Sequence, residues 1–414
     1  MLQHIFTLIW NQRRQNAWIA AELFLVSILL WYLVDWLYVM GNVYYRPMGF
    51  DIDHVYEVHM AELSQNSPAY QEGVPEGAEA RADYCEQVLN RLRSYPGVEV
   101  AAAMTSNLCP YNFTGMSMAF RADTCLFVSS YGAVTPGYFS LFRIVSNACS
   151  AASLDEALRE PNAAILTTNP EMPIPDGELL GQTLYQLGAK DSVRYRVVGV
   201  TPQIRRTAYD IPFPQIYMPF DWAVHLNELV FCVRVRPEVD SPEFAGRLFR
   251  ELKESLRVGN RYLSRVVPLA ESRDQMLKAN GTGNQVRTQL ALAGFLLVNI
   301  FLGIIGTFWF RTAYRRGEMG LRMAMGSSRR SLYQLQIGEA LGLVLIAFLP
   351  TLPITFNITI AELIEVHAMP ISRFRFFLCE GITLLLLWGM AFAGAWYPAR
   401  QSTRLAPAEA LRYE

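Results

Sequence analysis

Four apolar runs, at about residues 17–40, 287–310, 336–360 and 374–396, each reach or exceed the roughly 20 residues that an α-helix needs to cross the hydrocarbon core of a bilayer. A chain built around four such runs cannot fold as one average soluble unit. Inside a bilayer each run can satisfy its backbone only as a helix, and its apolar surface belongs against lipid or another span. The chain has 414 residues, 52% of them hydrophobic, so length remains for a sizeable soluble body. That body must lie in residues 41–283, between the first and second runs.

Charge orients the spans. Residues 1–16, 311–333 and 397–414 together carry eleven Lys and Arg against three acids, Glu318, Glu409 and Glu414. Four crossings put all three segments on one side, and the positive-inside rule makes that side cytoplasmic. Residues 41–283 hold 22 basic and 28 acidic side chains; without a basic excess they are expected outside, and no nucleic-acid partner is expected. The first run follows Arg13 and Arg14, is longer than a signal-peptide core and lacks a small-x-small cleavage site, so it reads as an uncleaved anchor. Residues 1–16 place Ile5, Leu8 and Ile9 at helical spacing beside Trp10, which suits an interfacial amphipathic helix.

The soluble body reads as two rounds of strand and helix with an insertion between them. DIDHVYEVHM, VEVAAAMTS, ELVFCVRVR and RYLSRVVPL have strand composition, and LFVSSYGAVT is expected to continue the same sheet. The first helix, within residues 79–95, is stopped by Tyr95-Pro96-Gly97. The second is expected to take Ser241 as N-cap and Pro242 as first residue, burying Phe244, Leu248, Leu252 and Leu256. Between the rounds, at about 146–225, the short β-rich pieces AAILTT, QTLYQL and RYRVVGV alternate with proline-rich turns, so a small β-rich subdomain is expected there. Residues 270–286 have helical composition except for Gly281-Thr282-Gly283, a joint that would let the second span continue upward as a stalk.

Enzyme chemistry is thinly supported. Five cysteines in the soluble body (85, 109, 125, 149 and 232) and Cys379 in the last span match no compact disulfide framework, and free, buried thiols are expected. There is no G-x-S-x-G and no Cys-x-x-Cys. His54, Glu57 and His59 fall in one strand, where alternation puts Glu57 and His59 on one face and His54 on the other, a poor arrangement for a metal. Tyr111, Phe113, Tyr209 and Trp222 could line a ligand surface, with core packing as the plainer use.

Four stretches resemble one family. Glu318-Met319-Gly320-Leu321-Arg322-Met323-Ala324-Met325-Gly326 resembles the E-I-G-I-R-R-A-L-G element of the MacB and FtsX type of ABC permease. The C-terminal YPARQSTRLAPAEALRYE resembles that family's ending, with Pro398, Ala399, Pro407 and Glu409-Ala410-Leu411-Arg412 in place. Val134-Thr135-Pro136-Gly137-Tyr138-Phe139 and Arg196-Val197-Val198-Gly199-Val200 are similar to its V-x-P-x-Y-F and Y-x-V-V-G-V elements. The resemblance implies a helical membrane protein with four transmembrane helices and a large α+β extracytoplasmic domain, made of a porter-like α/β layer and an inserted β-rich part. It also implies a bacterial inner-membrane location, assembly as a dimer of like permeases, and an ABC ATPase that binds ATP and Mg²⁺. No G-x-x-x-x-G-K-[ST] occurs in these residues, so the ATPase is expected on a separate polypeptide and no cofactor on this one. A periplasmic or outer-membrane partner is compatible with the same architecture.

The implied coupling element lies at 317–325. On a helix there, Met319 and Met323 would form an apolar ridge, while Arg315, Arg316 and Arg322 could meet partner carboxylates. Gly320 would permit close approach and Gly326 would end the helix. A plainer reading leaves the arginines obeying topology and the methionines in lipid. The ionisable residues of the spans, Glu22, Asp35, Glu339 and Glu380, mark either a proton or substrate path or structural contacts near the membrane faces. Gly338 and Gly342 form a GxxxG that suggests helix packing, and Pro350 and Pro353 are expected to kink the third span. Three functions stay open: a permease that moves its external domain on ATP hydrolysis elsewhere, an FtsX-like regulator of a cell-wall hydrolase, and a membrane-anchored enzyme.

Overall fold

The computed structural model describes residues 7, 9, 13–75, 77–112, 117–123, 125–146, 150–168, 176–187, 194–220, 229–279, 281–314, 316–366 and 368–402. Most of the interfacial helix expected at 1–16 lies outside these residues. So do the tail motif with Pro407 and Glu409–Arg412, and Phe113, Cys149, Trp222 and Arg315. The chain divides into two compact units, Met1–Tyr45 with Asn284–Glu414, and Arg46–Gly283.

Helix α1 spans Arg13–Tyr45. The second unit then runs β1 (Val55–Glu62), α2 (Ala78–Arg93), β2 (Val98–Thr105), β3 (Ser117–Ala122), β4 (Cys125–Val134), α3 (Tyr138–Leu141) and α4 (Ala151–Ala157). It continues with β5 (Ala163–Thr167), α5 (Asp176–Leu179), β6 (Thr183–Gln186), β7 (Arg194–Thr201), β8 (Gln215–Pro219) and β9 (Leu229–Val235). It closes with α6 (Phe244–Leu252), β10 (Arg261–Pro268) and α7 (Leu269–Ala279). The chain returns to the first unit with α8 (Thr282–Tyr314), α9 (Arg316–Ala324), α10 (Arg329–Phe348), α11 (Leu352–Ile360) and α12 (Arg373–Ser402).

Among the described residues the first unit holds four stretches long and apolar enough to cross a membrane: Asn16–Tyr45, Gly283–Arg311, Arg329–Ile360 and Arg373–Arg400. They share one core, in which Leu23, Leu30, Trp31 and Val34 of α1 meet Ile300, Ile304 and Phe308 of α8, Leu343 and Val344 of α10, and Leu387 and Ala391 of α12. The three-to-four-residue spacing leaves the opposite faces apolar and exposed, as lipid contact requires. Gly394 sets one separation: a Cβ there would lie 2.9 Å from the Ile305 Cα, so only glycine lets α8 and α12 approach this closely. Trp309 and Tyr397 stack beside it, with ring centroids 5.3 Å apart. Pro350 and Pro353 interrupt the third span with a 3-10 turn at Leu349–Thr351. A threonine there takes up a main-chain carbonyl, Thr351 Oγ1 donating to Phe348 O at 2.6 Å.

In the α/β unit, β1–α2–β2 and β9–α6–β10 interleave in the strand order β10-β1-β9-β2, every neighbour antiparallel. Each helix joins two strands that run parallel with a third between them, a split β-α-β arrangement. Tyr84, Val88 and Leu92 of α2 pack with Phe244, Leu248 and Leu252 of α6 on one face. Tyr138, Phe139 and Leu141 of α3, Leu154 of α4 and Leu269 and Met276 of α7 pack on the other. Helix α6 starts at Phe244, and Ser241 is not its side-chain cap. Ser241 instead opens a turn, its carbonyl accepting from Phe244 N at 2.9 Å.

The β-rich body is larger than its expected range of 146–225. Strand β4 touches the split sheet only through Val134 opposite Met104; the rest of it pairs with β3 and β8. With β3–β6, β6–β7, β7–β5 and β5–β8 also paired, six strands close into a barrel from Ser117 to Pro219. Phe120, Leu166, Leu184, Val197 and Ile216 fill it, and closure leaves it no edge strand. LFVSSYGAVT thus belongs chiefly to the barrel, because β8 offers it a full parallel partner where β2 offers one residue. Gly137 at φ +106° turns the chain from β4 into α3, whose first amides donate to the buried Asp155 carboxylate at 3.0 Å. Gly199 of β7 lies under α4, since a Cβ would come within 2.8 Å of Leu154. Both resemblance motifs of this unit therefore mark places where helix and sheet close-pack. Among the described cysteines none is bonded, and Cys85, Cys109 and Cys232 are buried.

Candidate coupling site

Helix α9 is nine residues long, too short to be stable alone. One internal tie is the pair Glu318–Arg322, 2.6 Å apart at i,i+4. Its C-terminus is closed by Gly326 at φ +95°, with Gly326 N donating to Met323 O and Ser327 N to Arg322 O, both at 3.0 Å. This pair of bonds is a Schellman motif, and the left-handed residue it needs is cheapest as glycine. Two residues later Ser328 caps α10, its side chain accepting from Ser331 N at 3.2 Å. The turn between α9 and the third span is thus short and bonded at both ends.

Met319 and Gly320 fall within α9, but the Met319 side chain lies outside what the structure describes. Met323 is half-buried. Among the described residues the large apolar side chains that α9 and its end present outward are Leu321, 52% exposed, and Met325, 73% exposed. They stand four residues apart, the same helical spacing that singles out Met319 and Met323, so the signal was present in the sequence one turn-face away. Arg322 is occupied by Glu318.

The four acids of the spans meet different partners. Asp35 is held bidentately by Arg375, with Nε to Oδ1 at 2.8 Å and Nη2 to Oδ2 at 2.6 Å; both side chains are buried. Glu339 is buried against Arg311 at 2.7 Å. Glu380 accepts from Thr355 Oγ1 at 2.5 Å. Glu22, half-buried, lies 3.3 Å from Thr307 Oγ1. These contacts tie α1 to α12, α8 to α10, α11 to α12 and α1 to α8. Gly338 and Gly342 are half-buried at the margin of the packed face of α10, which runs through Leu335, Glu339, Leu343 and Ala347.

In the α/β unit the strand pairing separates the histidines. Glu57 and His59 share a face, 3.4 Å apart. His54 stands before β1 at φ 61°, 2.5 Å from Asp240. Among the described residues no three His, Cys, Asp or Glu side chains gather as a metal site. Tyr111 is a core residue, its ring edge-on to Phe50, and Tyr209 is half-buried.

A family profile for the FtsX-like permease C-terminal domain matches residues 290–407, from the first third of α8 into the tail. Over 236 residues, 54% of the chain, the sequence is 27% identical to the macrolide export ATP-binding/permease protein MacB of Bdellovibrio bacteriovorus, and that match spans 35% of the relative's length. Among solved structures, the periplasmic region of MacB from Actinobacillus actinomycetemcomitans aligns with TM-score 0.33 and 13% identity, covering 57% of this chain and 98% of that one. The extracellular domain of the noncanonic ABC-type transporter YknZ from Gram-positive bacteria aligns with TM-score 0.31 and 13% identity, covering 51% and 100%. Residues 290–407 match the FtsX-like permease C-terminal domain, and with the four apolar helices and the MacB match they support a membrane protein of the MacB/FtsX-like type of ABC transporter permease.

Proposed function

We propose that this chain is the permease subunit of a MacB-like ABC system, in which a separate ATPase hydrolyses ATP and the resulting motion reaches the α/β unit through the spans. The observation that carries the reading is α9, a short, tied helix with outward apolar side chains inside the segment matched by the permease profile. An ATPase dimer closing on ATP can pull a span only through a stiff element joined to it, and α9 joins the third span through a bonded turn. Leu321 and Met325 would seat in an apolar depression of the ATPase, Arg322 and its neighbours at the rim. ATP and Mg²⁺ would sit on the ATPase, the permease would act as a dimer, and residues 46–283 would lie in the periplasm of an inner-membrane protein with cytoplasmic termini. The arginine-rich 311–333 segment supports that orientation. Substrate would be extracted or exported outside the membrane; an FtsX-like output, switching a cell-wall hydrolase, uses the same motion with a different load.

The test is affinity purification of the full chain from its native membrane. An ABC ATPase should accompany the wild type, and Leu321→Glu with Met325→Glu should lower its yield about tenfold or more, the scale of losing one apolar anchor. Equal recovery would overturn the assignment of α9.

A further inference from the structure

Helix α4 covers the outer wall of the barrel over β5 and β7, where Leu154 packs on Ile165 and Gly199. The wall over β4, β3 and β6 keeps exposed side chains. Alternation sends Phe120, Phe127 and Leu184 into the barrel, so Arg121, Leu126 and Tyr185 point out of it. Pairing then makes them neighbours: Leu126 stands opposite Arg121, Arg121 opposite Tyr185, and Tyr185 opposite Arg194 of β7. One step along, Val128 stands opposite Ala119, whose carbonyl accepts from Leu187 N at 3.0 Å.

Leu126 is 66% exposed and Val128 53%. An apolar side chain alone on a surface is ordinary, but these adjoin each other, with Leu187 exposed nearby. Arg121 and Arg194 both lie over the Tyr185 ring, 5.1 and 5.6 Å from its centroid, so their charges are within about 11 Å of each other. Exposed Arg196 adds a third cation on β7, and β3, β4, β6 and β7 contain no Asp or Glu. This face is therefore basic on a body whose residues 41–283 carry 28 acids against 22 bases. Cations held this close favour an anionic partner, and the leucines and valine beside them favour an apolar one. A plain polyanion offers no apolar groups. A bilayer is a poor fit, because Tyr185 is half-buried between its arginines and cannot insert as an interfacial aromatic. The closed barrel offers no strand edge either, so a protein partner has to be read by these side chains.

We propose that this face of the barrel docks an acidic, leucine-bearing segment of a partner protein, with its carboxylates on Arg121 and Arg194 and its leucines on Leu126, Val128 and Leu187. In an extended segment, acids two residues apart share a face about 7 Å apart, within reach of both guanidinium groups. The surface is separate from α9 and its use needs no ATPase.

Ligand-observed NMR on the full chain in zwitterionic lipid nanodiscs tests it with three peptides: Leu-Ser-Leu-Ser-Asp-Ser-Asp, the same with Asn for both Asp, and the same with Ala for both Leu. Each change should weaken binding about tenfold, the scale of losing charge-assisted hydrogen bonds or the burial of leucine side chains. Arg121→Glu with Arg194→Glu should abolish binding of the Asp peptide and leave thermal unfolding unchanged, since both side chains are exposed. Leu126→Ser with Val128→Ser should bring it to the level of the Ala peptide. No binding of the Asp peptide to the wild type, or equal binding of the Asp and Asn peptides, would overturn the proposal whatever the variants do. So would binding that survives the arginine variant. Attachment of phosphatidylglycerol vesicles through the same arginines without peptide binding would make the face a lipid surface, and a dimer lost in the arginine variant would make the occupant a second copy; either result overturns it.

Discussion

The two units bury arginine in opposite ways. In the membrane unit Arg375 is 1% exposed and neutralised by Asp35 through two hydrogen bonds, with one further bond to the carbonyl of Met369 in the loop before α12. In the α/β unit Arg205 and Arg234 are equally buried, yet the bonds that hold them end mainly on main-chain carbonyls. Arg205 donates to the carbonyls of Arg46, Pro47 and Ala208. Arg234 donates to Leu141 O at 2.6 Å and to Asp51 O and Asp53 O at 2.8 Å. The difference follows from where carbonyls are free. A spanning helix spends nearly all of its carbonyls on its own amides, so an arginine between spans has to find a side-chain acceptor. The irregular segments at 46–54 and the end of α3 leave carbonyls unspent, and arginine there ties the chain down as a multidentate donor.

The largest effect should come from breaking the charged pair. Asp35→Asn or Arg375→Met alone leaves a buried charge uncompensated and should cost about 3–5 kcal/mol, seen as lost folded yield and a lower detergent Tm. Asp35→Leu with Arg375→Met removes both charges and should recover most of that loss. If the double variant were as damaged as the singles, the pair would be holding something other than its own charges. Arg234→Met comes next: it leaves three carbonyls without their donor, and about 2–4 kcal/mol of stability should go, measured on the full chain by thermal unfolding of the α/β unit. No second substitution of an acid should rescue it, because no acid is its main partner.

The same contrast explains what the sequence could and could not disclose. The spans were legible because length and apolarity alone specify them. The face of α6 was legible because Phe244, Leu248 and Leu252 repeat at helical spacing, and all three are buried, as is Leu256 beyond the end of the helix. Strand alternation put Glu57 with His59 and set His54 apart. The partner of Asp35 was not legible: Arg375 is 340 residues away, and its place depends on how two spans pack. Closure of the barrel was hidden for a similar reason, since β4 meets β8 across about 85 residues of chain and local composition ranks no pairing above another. At α9 the spacing of apolar residues was visible, but four of them compete for a nine-residue helix. Only packing separates half-buried Met323 from exposed Leu321 and Met325.

The smallest expected effect is the sharpest check on the comparison. Asp51 is the acid nearest Arg234, at 3.4 Å, and it also meets Arg143 at 3.1 Å. If charge held Arg234 as it holds Arg375, removing this carboxylate would rival the loss of Asp35. The Asp51 side chain is 32% exposed, so water screens its field, while its backbone carbonyl, which the substitution leaves in place, keeps the 2.8 Å bond. Asp51→Asn also preserves an oxygen for the amide of Asp53, now 2.8 Å from Oδ1. The cost should stay below about 1 kcal/mol, the range of exposed ion pairs, and should shrink further in high salt. A loss of several kcal/mol on thermal unfolding would mean that the buried arginines of both units answer to carboxylates, and that the free carbonyls of the α/β unit are incidental.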